Sequence, residues 1–416
     1  MPHTDYHVAF FTNTYLPFVS GVSRSVHLYY EHLKALGNRL VIYAPQYNGS
    51  LEDNEDVRRI LSLSNFNNTE FSLPLVSTKP VTDFQYEGFD IVHVHHPFLL
   101  GETGLNMARR DKVPLIFTYH TQYEKYTHYV PIGEDTAVRT ILKHANDFCN
   151  MCDLVIAPTR DVKKQLRQRG VTSRIDILPS GIEQTAYAAA KPEAARESLG
   201  IGPEQPILLY VGRLAHEKNL KFLVGAALKA LEQRPDAVFV LAGSGKHENE
   251  LKDQASADKN SQVRFVGTVT GEDLINLYTA ANVFLFASTT ETQGMVLVEA
   301  MAGATPVVAR DADAVRDVVV DNVNGRLLRA DATEEEFADA ILHAINGEEA
   351  AKWSAGARET AQAYDMPKLA AKLQRKYRAL KLEPRHRLKS DTMSFGLIQS
   401  YFSTVWENFS RSFSQI

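Results

Sequence analysis

Short apolar runs alternate with longer amphipathic stretches along most of this chain. In the first half, apolar runs bounded by turn residues occupy 8–11, 39–43, 91–94, 114–118 and 154–157. Runs of this length are typical of strands that are buried on both faces. The stretches between them, such as 23–36 and 137–151, repeat apolar residues at helical spacing. The alternation predicts a parallel sheet with helices on both faces.

The same pattern starts again in the second half of the chain. Residues 183–205 are rich in alanine, glutamate and proline and carry no strand signal, so we interpret them as a junction. Further strands are predicted at 207–212, 237–241, 263–266, 283–286, 306–309 and 325–328. The fold class is therefore α/β, with two Rossmann-like, doubly wound domains facing a cleft. Ligands of such sheets bind at the carboxyl ends of the strands, so the cleft is the expected site.

Composition narrows the class of protein. A length of 416 residues suits two domains, and 44% hydrophobic with 23% charged residues is ordinary for a globular protein. The net charge of −5 gives no support for nucleic-acid binding. No apolar run reaches about 18 residues, so we expect no transmembrane helix. The first residues lack the basic and apolar regions of a signal peptide, which favours the cytoplasm.

Two glutamates, Glu291 and Glu299, stand where a predicted strand leads through a polar loop into an apolar helical run. Gly294 opens this run, and a helix N-terminus offers free N–H groups and partial positive charge to a diphosphate. Carboxylates only accept hydrogen bonds, so one glutamate could take sugar hydroxyls and the other ribose hydroxyls. Eight helical residues span roughly 12 Å, the scale of a sugar nucleotide. The alternative is two ordinary acids on a helix surface.

Three more loops follow predicted strands. Gly21 permits close approach of a phosphate or sugar, although a plain turn explains it equally well. Arg213 offers a planar fork and Lys218 a flexible charge, and both suit a leaving diphosphate, unless they are solvated surface cations. His120 comes just after the strand at 114–118 and could point into the cleft, although a lone histidine is more often structural.

Two groups of residues suggest a metal or redox site. Alternation places His93 and His95 on one strand face beside His96, but no carboxylate lies nearby in sequence. Cys149 and Cys152 have no second ligand pair, and we expect buried thiols in a reducing compartment. We therefore predict no metal site.

Taken together, these loops resemble the retaining glycosyltransferases of family 4, which have the GT-B fold. The resemblance covers roughly residues 6–380 and far exceeds any single motif in specificity. The matching positions are Gly21, 119–121, 179–182, Gly212, Arg213, Lys218, Val266, Gly267, Glu291 and Glu299. It implies a nucleotide-sugar donor, same-face displacement with retention, no dedicated base and no required metal.

The resemblance also implies roles for single residues. Glu299 would bind ribose hydroxyls and Glu291 the hydroxyls of the donor sugar, while Arg213 and Lys218 would hold the diphosphate. His120 would approach the donor sugar near the reacting carbon. The remaining donor-binding positions would be Gly21, Val266, Gly294 and Met295. One departure is that the paired glycines common in the family are missing from 311–317.

The same resemblance implies a division of the chain. Residues 1–182 would form an N-terminal acceptor domain and 206–365 a C-terminal nucleotide-sugar domain, with the junction at 183–205 between them. Residues 366–382 would form a crossing helix and 383–416 a basic, amphipathic tail.

Within the family, several residues resemble bacterial diacylglycerol glucosyltransferases. They are Tyr119, His120, Tyr123, Tyr126, His128, Tyr129 and Gln293. This implies transfer of glucose from UDP-glucose to a diacylglycerol-type lipid, with GDP-mannose as the other donor. The rivals are a soluble family member acting on a sugar, sugar phosphate or glycan, and a nucleotide-sugar epimerase of the same architecture. A lipid-surface protein with no activity is more distant.

The tail repeats apolar, mostly aromatic residues at spacings of three and four from Phe395 to Ile416, after a basic stretch that includes Arg385 and Lys389. Such a segment can lie on an anionic bilayer. The cations of 163–169 would assist. We therefore expect a peripheral protein on the inner face of the cell membrane. The alternative is that the aromatic stripe packs on the first domain or on a second copy of the chain. In the latter case the protein would form a homo-oligomer.

Overall fold

The structure is a computed structural model that describes residues 5–47, 55–64, 72–75, 88–121, 134–257, 262–289 and 291–383. The chain divides into two compact units. Among the described residues, the first comprises those up to Ser180 together with 366–383, and the second comprises Gly181–Asp365.

A parallel sheet forms the centre of the first unit. The strands of this unit are β1 (His7–Phe11), β2 (Arg39–Pro45), β3 (Val57–Ile60), β4 (Ser62–Leu63), β5 (Leu73–Pro74), β6 (Ile91–Val94), β7 (Leu115–Thr118), β8 (Leu154–Ala157) and β9 (Ile175–Ile177). Seven of them are parallel in the order β3-β2-β1-β6-β7-β8-β9, while β4 and β5 pair antiparallel. The helices between them are α1 (Gly21–Ala35), α2 (Leu100–Asp111), α3 (Glu134–Met151) and α4 (Arg160–Gln168).

The second unit repeats this plan. Its strands are β10 (Ile207–Val211), β11 (Val238–Ala242), β12 (Val263–Gly267), β13 (Val283–Phe286), β14 (Val307–Arg310) and β15 (Gly325–Leu328). They are parallel in the order β12-β11-β10-β13-β14-β15. Its helices are α5 (Gln184–Ala188), α6 (Pro192–Ser198), α7 (Leu220–Gln233), α8 (Glu248–Ala257), α9 (Gly271–Ala280), α10 (Met295–Ala302), α11 (Glu334–Ile345) and α12 (Gly347–Ala361).

Strand order reverses once in each sheet. Ala9 in β1 pairs with Val41 on one side and Val92 on the other. In the second sheet Leu208 in β10 pairs with Phe239 and Val283 in the same way. After β1 the chain continues to one side of the sheet, and after the neighbouring β6 it continues to the other side. The same holds for β10 and β13. The gap between each of these strand pairs is a topological switch point, where doubly wound sheets bind ligands.

Local sequence explains several of these elements. The strands next to each switch point are apolar and buried on both faces. Helix α1 begins with a capping box between Ser20 and Ser23, and α11 with one between Thr333 and Glu336. Gly104 lets α2 lie close to the sheet, because a Cβ there would come within 2.5 Å of Val94.

The last described helix, α13 (Met366–Leu382), returns to the first unit. Its apolar face is buried in a cluster with residues of β1 and α1. Lys376 and Lys381 each form a 2.6 Å ion pair, with Asp176 and Asp90 respectively. Two Rossmann-like units and a returning helix confirm the predicted fold class.

Every strand that the pattern predicts is present, but β3, β4, β5 and β9 are additional. Residues 183–205 contain α5 and α6 and belong to the second unit, where Ala195 and Ile201 are buried in the core. None of the described helices is long and apolar enough to cross a bilayer. The tail from 384 onward and the residues Tyr123, Tyr126, His128 and Tyr129 lie outside the described residues.

Candidate active site

A lysine and a glutamate that are far apart in sequence meet at the switch point of the second sheet. Lys218 lies in the loop after β10 and Glu291 in the loop after β13. Lys218 Nζ is 2.6 Å from Glu291 Oε1, and the two side chains are only 16% and 15% exposed. The structure therefore brings together a predicted diphosphate ligand and a predicted sugar ligand.

The backbone between these loops is held in place by hydrogen bonds. The carbonyl oxygen of Glu217 accepts from the backbone N–H of Thr289 at 3.3 Å and from Ser288 Oγ at 3.4 Å. Tyr210 Oη donates to the carbonyl oxygen of Arg213 at 2.9 Å. Burial first, and then the Glu291 carboxylate, raise the pKa of Tyr210, so this hydroxyl stays protonated and keeps donating.

Arg213 also has a carboxylate partner. Its Nη2 is 2.9 Å from Glu217 Oε1, and both side chains are less than one-fifth exposed. Glu217 does not stand out in the sequence, although its position four residues after Arg213 was a usable signal. Each of the two predicted diphosphate ligands therefore lies against a carboxylate.

Glycines bring two neighbouring loops close together beside Arg213. A Cβ on Gly243 would lie 1.9 Å from the carbonyl oxygen of Gly212, and the φ of Gly243 is 148°. Gly212 has a φ of 151°. The loops after β10 and β11 can approach this closely because Gly243 lacks a side chain, while a Cβ on Gly212 would lie 2.7 Å from the hydroxyl oxygen of Tyr210.

The N-terminus of α10 lies next to Glu291. Gly294 is the N-cap of α10 with a φ of 70°, and Met295 is the first helical residue. The predicted helix start is thus confirmed, and the first N–H groups of α10 have no partners within the helix itself. A diphosphate near Gly294 would meet donors of this kind.

Glu299 is buried one helical turn further along α10. Only 7% of its surface is exposed, and Tyr278 Oη donates to Glu299 Oε2 at 2.9 Å. Tyr278 therefore orients the Glu299 carboxylate. The sequence predicts Glu299 as a site residue but does not predict its contact with Tyr278.

Val266 lies further from the switch point than the other predicted donor-binding residues of the second unit. It lies near the end of β12, at the edge of the sheet and two strands away from β10. Gly267 follows with a φ of 69°. Val266 is at the same carboxyl edge as Arg213 and Lys218, but further from the switch point.

Gly21 and His120 belong to the first unit. Gly21 is the first residue of α1, its φ is unremarkable for any residue, and a Cβ there would meet nothing within 4 Å. The described fold therefore does not require a glycine at this position. His120 follows β7 at the carboxyl edge of the first sheet and is partly buried.

His120 lies against a group of buried histidines. His95 Nδ1 is 3.0 Å from His120 Nε2, and the rings of His93 and His95 stack at 4.5 Å. The backbone N–H of Asn13 donates to His96 Nδ1 at 3.1 Å. Burial lowers the pKa of His93 and of His96 to about 3, so these rings are neutral. The contacts of His95 and Asn13 were not foreseen from the sequence.

The described residues contain no group of three histidine, cysteine or acidic side chains placed to hold a metal ion. Cys149 and Cys152 are buried free thiols. Burial raises the pKa of both, which makes them unreactive.

Comparison with known proteins now identifies the family. The family model "Glycosyltransferase Family 4" matches residues 19–186, and "Glycosyl transferases group 1" matches residues 192–360. The alpha-monoglucosyldiacylglycerol synthase of Streptococcus pneumoniae is 31% identical over 363 residues, which cover 81% of this chain and 78% of that protein. The chain belongs to the family 4 glycosyltransferases.

Other similar proteins also align with this chain over most of their length. The alpha-monoglucosyldiacylglycerol synthase of Acholeplasma laidlawii is 29% identical over 81% of this glycosyltransferase and 87% of its own length. A GDP-mannose-dependent alpha-mannosyltransferase of Mycobacterium tuberculosis is 28% identical over 90% and 97%. Among solved structures, HepE of Anabaena in complex with UDP and glucose has a TM-score of 0.71 at 18% identity, over 90% of this chain and 100% of that one.

Proposed function

We propose that this glycosyltransferase moves glucose from UDP-glucose, with retention, onto a diacylglycerol-type membrane lipid. The observation that carries the proposal is the Lys218–Glu291 pair at the switch point of the second sheet, with Arg213 on the same loop. The names of two relatives, both alpha-monoglucosyldiacylglycerol synthases, support the sugar and the acceptor.

The second unit would bind the donor. Arg213 and Lys218 would neutralise the diphosphate, and the N-terminus of α10 at Gly294 and Met295 would add N–H donors. The leaving diphosphate gains negative charge in the transition state, so cations fixed in place lower the barrier.

Two carboxylates would take the hydroxyls at the ends of the donor. Glu291 would accept from the transferred sugar once it is released from Lys218. Glu299, held by Tyr278, would accept from the ribose. Val266 lies further along the same edge, where the base would extend, and Gly21 would lie near the diphosphate or sugar.

Transfer with retention would occur on one face of the sugar. The bond from the anomeric carbon to the phosphate oxygen breaks, and a bond to the acceptor oxygen forms. The acceptor proton passes to the leaving phosphate oxygen, so no separate base is needed. His120 would contact the donor sugar near this carbon, and we propose no metal.

A basic helix of the first unit supports a lipid acceptor. Lys163, Lys164 and Arg167 project from α4, and Arg169 follows it, while Val162 and Leu166 are buried on the other face. Each cation near an anionic bilayer contributes about 1 kcal/mol. This helix favours peripheral binding to the inner face of the cell membrane, with the tail as a second contact.

GDP-mannose is the competing donor, because the mannosyltransferase of Mycobacterium tuberculosis aligns over almost its whole length. The decisive experiment offers purified protein UDP-glucose, UDP-galactose or GDP-mannose, each with diacylglycerol vesicles, a soluble sugar or sugar phosphate, or no acceptor. Mass spectrometry identifies the product, and proton NMR identifies the anomer. Retention and lack of a metal requirement are tested by an α-linked product that also forms in the presence of EDTA.

The possible outcomes separate the hypotheses. Glucosyl-diacylglycerol from UDP-glucose supports the proposal. Transfer only to soluble acceptors replaces it with the soluble transferase, and an altered nucleotide sugar without acceptor replaces it with the epimerase.

Membrane binding is tested by flotation with vesicles that contain anionic lipid. We expect Lys163→Gln/Lys164→Gln/Arg167→Gln to float less at low salt than the wild type. The matched control is Lys221→Gln/Lys229→Gln/Arg329→Gln, which removes the same charge from the second unit. A truncation of residues 391–416 measures the tail in the same assay, and unchanged flotation would remove the tail from the proposal.

A further inference from the structure

His95 has an unusual environment for a histidine. It follows β6 directly, only 1% of its surface is exposed, and its Nδ1 lies 3.0 Å from His120 Nε2. Its other ring nitrogen, Nε2, is buried and has no hydrogen-bond partner within the described residues. One ring nitrogen is thus committed to His120, and the other has no hydrogen-bond partner within the described residues.

The neighbouring histidines, His93 and His96, have hydrogen-bond partners of their own. His93 Nδ1 lies 2.7 Å from Tyr377 Oη, and His93 Nε2 lies 2.7 Å from Thr118 Oγ1. His96 Nδ1 accepts from the backbone of Asn13. Both histidines therefore form hydrogen bonds with other groups, and neither forms one with Nε2 of His95.

The unpartnered nitrogen distinguishes two tautomeric states of the pair. A neutral imidazole carries one N–H, so either His95 Nδ1–H donates to His120 Nε2, or His120 Nε2–H donates to His95 Nδ1. In the second state His95 would carry its proton on Nε2, as a buried donor with no acceptor. Buried N–H groups without a partner are rarer than acceptors left unfilled, so the first state is favoured.

We propose that His95 is a positioning residue that holds His120 in the tautomer with its proton on Nδ1. His120 Nδ1 has no hydrogen-bond partner among the described residues, so its N–H is available to a ligand. The functional consequence rests on the proposed function: His120 donates a hydrogen bond to an oxygen of the donor sugar, whereas Glu291 and Glu299 can only accept.

This division of roles has a chemical reason. A sugar hydroxyl both donates and accepts, so a site that offers only carboxylates satisfies half of its capacity. A neutral imidazole whose proton is held on one nitrogen supplies a donor without adding a charge near the reacting carbon. His93 and His95 are each only 1% exposed, so burial makes a positive charge on either ring unfavourable.

The tautomer can be measured without substrate. Long-range proton–nitrogen spectra of protein labelled at its 14 histidines distinguish protonated from bare ring nitrogens, and His120→Asn assigns the His120 signals by difference. We expect the His120 proton on Nδ1 in the wild type. A proton on Nε2 in the wild type would overturn the proposal.

Two variants of equal size test the part played by His95. In His95→Asn an amide N–H can replace the Nδ1 donor, whereas in His95→Asp the carboxylate only accepts and should move the His120 proton to Nε2. We expect kcat/KM to stay within about threefold in the first variant and to fall about 10- to 100-fold in the second, the range for residues that orient a functional group.

His95→Phe is the safeguard if the aspartate variant does not fold. It keeps an aromatic ring at this position but offers no donor, so His120 should populate both tautomers. A His120 spectrum unchanged in His95→Phe would overturn the positioning role. The expected spectra without any glycosyl transfer would instead remove the proposed function and leave the tautomer assignment standing.

Discussion

Lys218 Nζ lies 2.6 Å from Glu291 Oε1, so a predicted diphosphate ligand and a predicted sugar ligand form an ion pair with each other. Arg213 is held by Glu217 in the same way at 2.9 Å. We expect a diphosphate that binds both cations to compete with the two carboxylates and to exchange with them. This exchange would release Glu291 at the moment when a sugar hydroxyl needs an acceptor.

We expect Lys218→Ala to lower kcat/KM for the donor by about 100- to 1,000-fold, because one fixed cation is lost from the transition state. The control is Lys229→Ala, which breaks a surface pair with Glu335 at 3.0 Å and should leave kcat/KM unchanged. Steady-state kinetics over a range of donor concentration provide the measurement. Equal activity of the two variants would remove Lys218 from the catalytic site.

If the diphosphate displaces Glu217 from Arg213, removing the charge of Glu217 should strengthen donor binding, whereas removing Lys218 should weaken it. In Glu217→Gln, Arg213 no longer gives up an ion pair worth about 1 kcal/mol when the diphosphate binds, so UDP should bind about fivefold tighter. Isothermal calorimetry with UDP measures this, and Glu335→Gln is the matched control. If the variant binds UDP more weakly, Glu217 orients Arg213 for the donor and does not compete with it.

The sequence predicts the sheets well because continuous apolar runs reflect burial on both faces. The strands at 207–212 and 283–286 have this pattern, and both lie at the switch point. The strand Val57–Ile60 lies at the sheet edge and has two arginines in four residues, so its apolar pattern is too weak to predict it. Edge strands need less apolar sequence, since one side and part of each face meet water.

The candidate site is predictable in its residues but not in its pairings. Glu291 and Lys218 stand out because each follows a strand, yet 73 residues separate them and only the fold brings them together. Tyr278 is not identifiable from sequence for the same reason, because it comes from α9 and meets Glu299 on α10. His95 is recognisable as a histidine at a strand end, but its relation to His120 depends on strand pairing between β6 and β7.

Tyr278→Phe should separate donor binding from catalysis. It removes a hydrogen bond of 2.9 Å to the buried Glu299 carboxylate and changes little else in volume. A bond to a charged group is worth about 1.5–3 kcal/mol, but the carboxylate can find part of this elsewhere. We expect the donor KM to rise about three- to tenfold with kcat nearly unchanged, as for a lost ground-state contact. A fall in kcat at constant KM would contradict a role confined to ribose binding.

The buried histidines of the first unit should make the fold sensitive to acid. His96 has a pKa lowered to about 3 by burial, against about 6.5 in the unfolded chain. Between these values the unfolded state binds a proton that the native state does not, so stability falls as pH falls below about 6.5. The slope approaches about 1.4 kcal/mol per pH unit for each such histidine.

His96→Asn isolates this contribution, because its Oδ1 can accept from the backbone N–H of Asn13 as His96 Nδ1 does at 3.1 Å. Glu102 acts in the opposite direction, since burial raises its pKa to about 7 and its penalty is relieved in acid. Both proteins carry Glu102, so the difference between them cancels it. Urea unfolding at pH 7.5 and pH 4.5 should show the variant gaining about 2.6 kcal/mol on the wild type at the lower pH. Parallel pH profiles for the two proteins would show that His96 is protonated in the native state, and that the ring is less buried in solution than its 3% exposure implies.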